Sequence, residues 1–154
     1  MTTADQLGPF ALFDRLTPQQ RATVARIAQD ITAAPGTRLF GEGQPASGCW
    51  LIRAGQVALE TAVPGRGMVI VQTLGAGDVL GLSWLVPPHQ WHFTATCNGP
   101  VSAIQLDTTR LRALANGDPA LGYPLVLGLF ELLLTRLQSS RSRLLDLYGN
   151  PRAR

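Results

Sequence analysis

The residues most suited to ligand chemistry lie in one stretch of the chain, from Leu74 to Thr96. It contains both histidines, His89 and His92, and a Gly-Ala-Gly-Asp turn that is followed closely by Gly81. Glycines allow the positive φ angles of such turns, and free amides at the start of a helical turn attract negative charge. We therefore expect a helical turn at 82–86, ended by two prolines, and a cradle for an anion. An ordinary β-turn followed by a proline-capped loop is the alternative.

Polar and aromatic side chains within this stretch suit such a cradle. The hydroxyl of Ser83 would donate to an anion, and His92 would add positive charge when protonated. Trp84, Trp91 and Phe93 supply three aromatic rings, which either stack on a planar ligand or pack in the core. Ser83 lacks the flanking pattern of a hydrolase nucleophile, so we expect no enzymatic activity.

Metal binding is a competing chemistry for the same stretch. His89 and His92 are separated by two residues, and Cys97 is the one plausible extra soft ligand. A cupin-like metal site needs a third and usually a fourth ligand, and no third histidine or glutamate lies near these two in the sequence. We therefore expect no metal, and a cupin-like metalloprotein is the last of the alternatives.

Two glycine-centred motifs resemble those of a known family. The first runs from Trp50 to Leu59 with a turn at Gly55, and the second is Leu-x-x-Gly-Asp-Val-x-Gly, ending at Gly81. As a pair they resemble the cyclic-nucleotide-binding domain family, which includes the sensor domains of the catabolite-activator type of transcription regulators. The resemblance covers roughly residues 12–148. It implies a β-roll followed by a long helix, with a cyclic nucleotide held against the Gly81 segment. Another small anion is the alternative ligand.

The sequence departs from this family where the ligand's charged partners are expected. Leu82 stands where the family places a glutamate for the ribose hydroxyl, and Trp91 or His92 stands where it places an arginine for the cyclic phosphate. Each missing charge-assisted hydrogen bond costs about 1.5–3 kcal/mol, so we expect cAMP binding to be weakened about a hundredfold or more. The candidate ligand-binding residues are Gly81, Leu82, Ser83, Trp84, Trp91, His92, Phe93, Thr94, Ser140 and Arg141.

The elements that must position these residues follow the pattern of an eight-stranded β-roll or jelly roll. Short apolar segments between residues 31 and 107 are separated by Pro-Gly, Gly-Glu-Gly and Asn-Gly-Pro turns, which is typical of consecutive antiparallel strands. The Thr17-Pro18 pair predicts the start of a short N-terminal helix. The predicted strands are Ile31–Ala34, Arg38–Phe40, Cys49–Arg53, Gln56–Thr61, Gly67–Leu74, Val79–Leu80, Trp91–Cys97 and Val101–Asp107.

A short helix at 108–116 and a long helix at about 120–147 complete the chain. Apolar residues recur along the long helix in steps of four and three, the spacing of a seam between two helices, so we expect a homodimer through this helix. The resemblance implies that polar residues matching Ser140 and Arg141 reach the ligand's base across the dimer. No recognition helix follows, so we expect no direct sequence-specific DNA binding. The seam residues are Val126, Phe130, Leu133, Leu137, Ser140, Leu144 and Leu147.

Composition indicates a globular protein with one domain over residues 1–154, since 45% of the residues are hydrophobic and 15% are charged. No secretory signal is present, and the apolar stretch at 125–134 contains Glu131 and is too short for a membrane span. Cys49 and Cys97 suit buried thiols of a reducing compartment. We expect a cytoplasmic protein that binds no membrane.

The arginines near the C-terminus either form a solvated face or contact an acidic partner; they are Arg136, Arg141, Arg143, Arg152 and Arg154.

Three functional hypotheses follow from these observations. The favoured one is a stand-alone regulatory or sensor module of the cyclic-nucleotide-binding type, acting as a homodimer, with a ligand that the altered phosphate-binding segment leaves open. The second is a ligand-free module for dimerisation or for binding a protein partner, whose pocket is filled by Trp91. The third is the cupin-like metalloprotein.

Overall fold

The computed structural model describes residues 2–149 and contains eight strands in two antiparallel sheets. The strands are β1 (Ala28–Ala33), β2 (Arg38–Phe40), β3 (Gly48–Ala54), β4 (Val57–Val63), β5 (Gly67–Leu74), β6 (Val79–Leu80), β7 (Thr94–Cys97) and β8 (Val101–Asp107). One sheet has the order β1-β8-β3-β6, and the other has the order β2-β7-β4-β5. Consecutive strands therefore alternate between the sheets except for the β4–β5 hairpin, which lies within one sheet. The predicted eight-stranded jelly roll is confirmed.

The two sheets share one core built from the inward positions of their strands. In β8 the buried side chains alternate with half-buried ones over most of the strand, as expected for a strand with one face inward. Leu51 of β3 lies opposite Ile104 of β8, and neither side chain is exposed. Burial of such aliphatic side chains stabilises the fold by about 1.5–3 kcal/mol each.

The N-terminal segment covers one end of this core. The predicted helix start at Thr17 is confirmed, because the Thr17 hydroxyl accepts a hydrogen bond from the Gln20 amide. Two shorter helices that the sequence pattern did not indicate precede it, and they bury Leu7 and Phe13 completely. The helices of this segment are α1 (Ala4–Leu7), a 3₁₀ helix (Ala11–Phe13) and α2 (Pro18–Ala25).

The C-terminal part consists of α3 (Thr108–Gly117) and the long α4 (Pro119–Gly149), as predicted to within a few residues. The first half of α4 packs on the N-terminal segment. Gly128 makes this packing possible, since a Cβ there would lie 2.4 Å from the carbonyl oxygen of Leu12. The buried apolar residues of this half are Leu121, Leu125 and Leu129.

Away from the face that packs on the N-terminal segment, α4 leaves its apolar residues exposed. All of the predicted seam is uncovered; its members are Val126, Phe130, Leu133, Leu137, Ser140, Leu144 and Leu147. By length and composition α4 could cross a membrane, with a mean hydropathy of 1.5 in a window that is 28% buried, but a single such helix is weak evidence for a span. Arg152 and Arg154 lie outside the described residues.

Two local predictions were wrong. The predicted helical turn at 82–86 is a series of turns and bends, because the prolines at 87 and 88 stop it from propagating and a single turn is not stable alone. The predicted strand Trp91–Cys97 begins only at Thr94. Its first three residues belong to the preceding loop, where the Trp91 amide bonds to the carbonyl of Gln44, outside either sheet.

Candidate functional site

A cavity of about 470 Å³ lies between the loop that follows β6 and the second half of α4. We call residues 81–93 the loop wall; all of them except Trp84 and Leu85 line the cavity. The helix wall consists of Leu133, Arg136, Leu137 and Ser140, and the strand residues that also line the cavity are Phe40, Leu59, Gln72 and Leu80. The segment singled out from the sequence thus faces a cavity large enough for a small ligand.

The turn between β5 and β6 fixes the start of the loop wall. The Gly77 amide donates to the carbonyl of Ile52 at 2.8 Å, and the Ile52 amide donates to the carbonyl of Asp78 at 3.0 Å. The Asp78 carboxylate accepts a 2.8 Å hydrogen bond from the Gly75 amide. These bonds attach the turn to β3, so the loop leaves β6 at a defined position.

Gly81 is required by the close approach of two neighbours. Its φ is +96°, and a Cβ there would lie 2.9 Å from the carbonyl oxygen of Gly48 and 3.0 Å from the ring of Trp91. An L side chain would therefore meet both backbone strain and a clash. Glycine lets the Trp91 indole lie directly against the loop backbone.

Trp91 belongs to the core as well as to the cavity. Its indole is 4% exposed and stacks on Phe40, with ring centroids 3.8 Å apart and an interplanar angle of 14°. Trp50 lies next to this pair, with its ring 5.9 Å from that of Trp91. Of the two interpretations of Trp91, core packing is what the structure shows, and stacking on a ligand stays a prediction for the part of the ring that lines the cavity.

Trp84 and Thr94 lie away from the cavity, although both were candidate ligand-binding residues. Trp84 is completely buried, its carbonyl accepts a hydrogen bond from Arg112, and its indole N–H has no partner among the described residues. Thr94 is buried in β7, where its hydroxyl accepts a hydrogen bond from the Glu42 amide. Both side chains support the framework of the loop.

The remaining candidates of the loop wall do line the cavity. Leu82 and Ser83 are half-buried, and His92 and Phe93 are exposed. No aspartate or glutamate lines the cavity, so nothing there repels a bound anion. Because the helical turn is not formed, the loop lacks the aligned amides that a helix start would have offered.

The helix wall contains a cation, Arg136, that was not among the candidate ligand-binding residues predicted from the sequence. Arg136 is half-buried, and its guanidinium donates to the carbonyl of Val79. Burial lowers the pKa of Arg136, while the carboxylate of Asp78 and the thiol of Cys49 oppose that change. Arg136 lies four residues before Ser140, on the same face of α4, and that spacing was the signal that could have identified it.

The two predicted residues of α4 differ in position. Ser140 lines the cavity, whereas Arg141 is exposed and does not. Their expected contact across a dimer stays a prediction. Behind the helix wall, Cys49 is fully buried, and burial raises the pKa of its thiol to about 12, against an opposing effect of Arg136.

Among residues 2–149, no group of three or more histidine, cysteine, aspartate or glutamate side chains is arranged to hold a metal ion. His89 and His92 both line the cavity, but Cys97 is buried in β7 and does not line it.

Comparison with known proteins identifies the architecture. The sequence model of the cyclic nucleotide-binding domain family matches residues 31–118, more than half of the chain. A comparison with curated protein sequences gave no match.

Solved structures of related proteins cover nearly the whole chain. A protein from Geobacter metallireducens described as a cyclic nucleotide-binding protein is 26% identical with a TM-score of 0.81, and the match covers 89% of this chain and 99% of that one. A cyclic nucleotide-binding domain from Methylobacillus flagellatus is 20% identical with a TM-score of 0.82, covering 94% and 85%. The catabolite activator protein of Thermus thermophilus is 22% identical with a TM-score of 0.69, covering 90% and 63%. The last two matches show the shared fold alone.

Proposed function

Because the chain belongs to the cyclic nucleotide-binding domain family, we propose that it is a regulatory module that senses a small ligand in the cavity between the loop wall and the helix wall. Domains of this family are generally regulatory and not enzymatic. The observation that carries the proposal is the shared cavity, since a ligand there touches the β-roll and α4 at once. A change in ligand occupancy would therefore alter how α4 packs on the roll.

The residues present fit the usual ligand of this family poorly. Leu82 offers no hydrogen-bond acceptor to a ribose hydroxyl, and no arginine lies within residues 81–93 to pair with a cyclic phosphate. Trp91, stacked on Phe40, takes up space behind the loop. We therefore propose a cyclic nucleotide bound weakly, or another small anion bound better, as the ligand of this module.

We further propose that the module acts as a homodimer through α4. Phe130, Leu133 and Leu137 are 56%, 50% and 65% exposed, which is costly for a helix surrounded by water. A second copy of the same helix would cover the four-three stripe symmetrically. Leu133 and Leu137 also line the cavity, so the dimer surface and the ligand site would share residues. We propose that this soluble dimer works in the cytoplasm.

Thermal stability in the presence of ligands tests the proposed function. Cyclic mononucleotides, cyclic dinucleotides and small organic anions are screened, since a ligand at a hundred times its Kd stabilises the folded state by about 2.7 kcal/mol. The expected result is stabilisation of the wild type that is lost in Ser140→Trp, which fills the cavity. Ser139→Trp is the matched control, because Ser139 is exposed on the same helix and does not line the cavity.

A second candidate, a ligand-free interaction module, is favoured by one observation, the burial of Trp91 against Phe40 beside the cavity. For such a module no ligand would stabilise the wild type, while the dimer would persist. Equal ligand responses of the wild type and Ser140→Trp would likewise contradict sensing through this cavity.

A further inference from the structure

Arg136 is the one arginine among the residues that line the cavity. Its guanidinium donates to the carbonyl of Val79, and no carboxylate lies within ion-pair distance of it among residues 2–149. Asp78 acts on it only as a more distant charge, and the Asp78 carboxylate accepts a hydrogen bond from the Gly75 amide. A guanidinium has five N–H donors, so most of its hydrogen-bonding capacity is not used by the carbonyl.

A half-buried cation with one neutral partner is costly to keep. Burial takes part of its hydration away, and a single backbone carbonyl returns little of that energy. The cavity in front of it contains no acidic side chain. The other side chains there that can carry charge are His89 and His92 on the opposite wall, and both of them would attract an anion when protonated.

We infer that Arg136 is the anion-binding residue of this cavity, so that the ligand's counter-charge lies on α4 and not on the loop wall. The inference rests on the proposed function, because it assigns a residue to the ligand of the same cavity. It also narrows the ligand class. The surrounding residues are mainly apolar, among them Phe40, Leu59 and Leu137, so the fitting ligand is a small molecule with one anionic group on a planar apolar body.

Two matched probes separate charge recognition from apolar binding. 8-Anilinonaphthalene-1-sulfonate carries one sulfonate on an apolar body that includes a planar naphthalene ring, and N-phenyl-1-naphthylamine is its uncharged counterpart. Binding is followed by the ¹⁵N–¹H signals of the tryptophan indoles. The Trp91 signal reports on the cavity, and the Trp84 signal is an internal control, because Trp84 is buried and does not line the cavity.

The variants are Arg136→Gln, Arg136→Lys and the control Arg141→Gln, whose site is exposed on the same helix outside the cavity. We expect the sulfonate probe to shift the Trp91 signal of the wild type and to bind about 10- to 100-fold more weakly to Arg136→Gln. Arg136→Lys should fall between them, and Arg141→Gln should match the wild type. The uncharged probe should bind all four proteins equally.

Each contrary result has a distinct meaning. If the sulfonate probe binds Arg136→Gln as tightly as the wild type, the assignment of Arg136 is wrong while ligand sensing in the cavity stands. If neither probe shifts the Trp91 signal, the proposed function fails and the inference fails with it. Should Arg136→Gln not fold, the wild type alone decides, because equal affinity for the charged and uncharged probes would overturn the assignment.

Discussion

The two walls of the cavity differ in what they offer a ligand. The loop wall begins at Gly81, the last residue of the glycine motif, yet Leu82 and either Trp91 or His92 stand where the resemblance implies charged partners. The helix wall has a permanent cation, Arg136, between two exposed leucines. The comparison teaches that the side chain offering a permanent positive charge to the cavity lies on a different element from the one that the glycine motif marks.

The largest expected effect comes from the apolar part of the helix wall. Replacing Leu133 and Leu137 by glutamate would place two charges in the proposed dimer seam, where burying an unpaired carboxylate costs several kcal/mol. We expect monomers, measured by light scattering after size-exclusion chromatography. Glutamates at the exposed polar positions Gln138 and Ser139 are the control and should leave the dimer intact. An unchanged mass in the leucine variant would contradict a dimer through α4.

The next effect concerns the charges that the loop wall lacks. Leu82→Glu combined with His92→Arg should raise the affinity for cAMP at least about a hundredfold, since each partner contributes about 1.5–3 kcal/mol. His92 is suited to the substitution because it is exposed and lines the cavity. Calorimetry gives the affinity, and Leu82→Glu with His89→Arg is the matched control. No gain in either variant would indicate that the buried Trp91 excludes the nucleotide.

Most of the fold could be predicted from the sequence because it depends on local rules. Alternating apolar residues and glycine turns define strands wherever one face is buried, and the repeat of four and three defines α4. The loop wall could not be predicted in the same way. Trp91 and its neighbours have the composition of a strand, but Trp91 stacks on Phe40, far from it in sequence, and that contact takes the segment out of the sheet.

The candidate site was predictable mainly on one side, because Ser140 is the one helix-wall residue among the candidate ligand-binding residues. The glycine motif located the loop wall, since the positive φ of Gly81 has a sequence signature. Arg136 was not among the candidate ligand-binding residues, because its place in the cavity depends on how α4 crosses the loop. No local pattern in the sequence specifies that crossing. The sequence also left open which aromatic rings face a ligand, and Trp84 lies in the core instead.

Replacing Gly81, the first residue of the loop wall, should cost more stability than replacing the nearby Gly77. Gly81 and Gly77 have φ angles of +96° and +92°, but a Cβ at Gly81 meets the Gly48 carbonyl at 2.9 Å, whereas nothing lies within 4 Å at Gly77. Gly77→Ala should cost about 1 kcal/mol of backbone strain, and Gly81→Ala about 2–3 kcal/mol. Urea unfolding measures both. Equal losses would show that the packing of Trp91 against this backbone contributes nothing.

The smallest expected effect lies behind the helix wall, at Cys49. Burial raises the pKa of its thiol to about 12, so the folded protein keeps it protonated where the unfolded chain ionises, above about pH 8.5. The unfolded state then binds fewer protons, and stability must fall as pH rises.

The contribution of Cys49 to stability is complete below pH 8.5, and about 1.4 kcal/mol of it is lost by pH 9.5. We expect urea unfolding to show this loss in the wild type and a smaller loss in Cys49→Ala. Burial also raises the pKa of Cys97, so the alanine variant should retain a weaker slope of the same sign. A wild type that is equally stable at pH 7.5 and 9.5 would contradict the burial of the Cys49 thiol. Water would then reach this thiol behind Arg136.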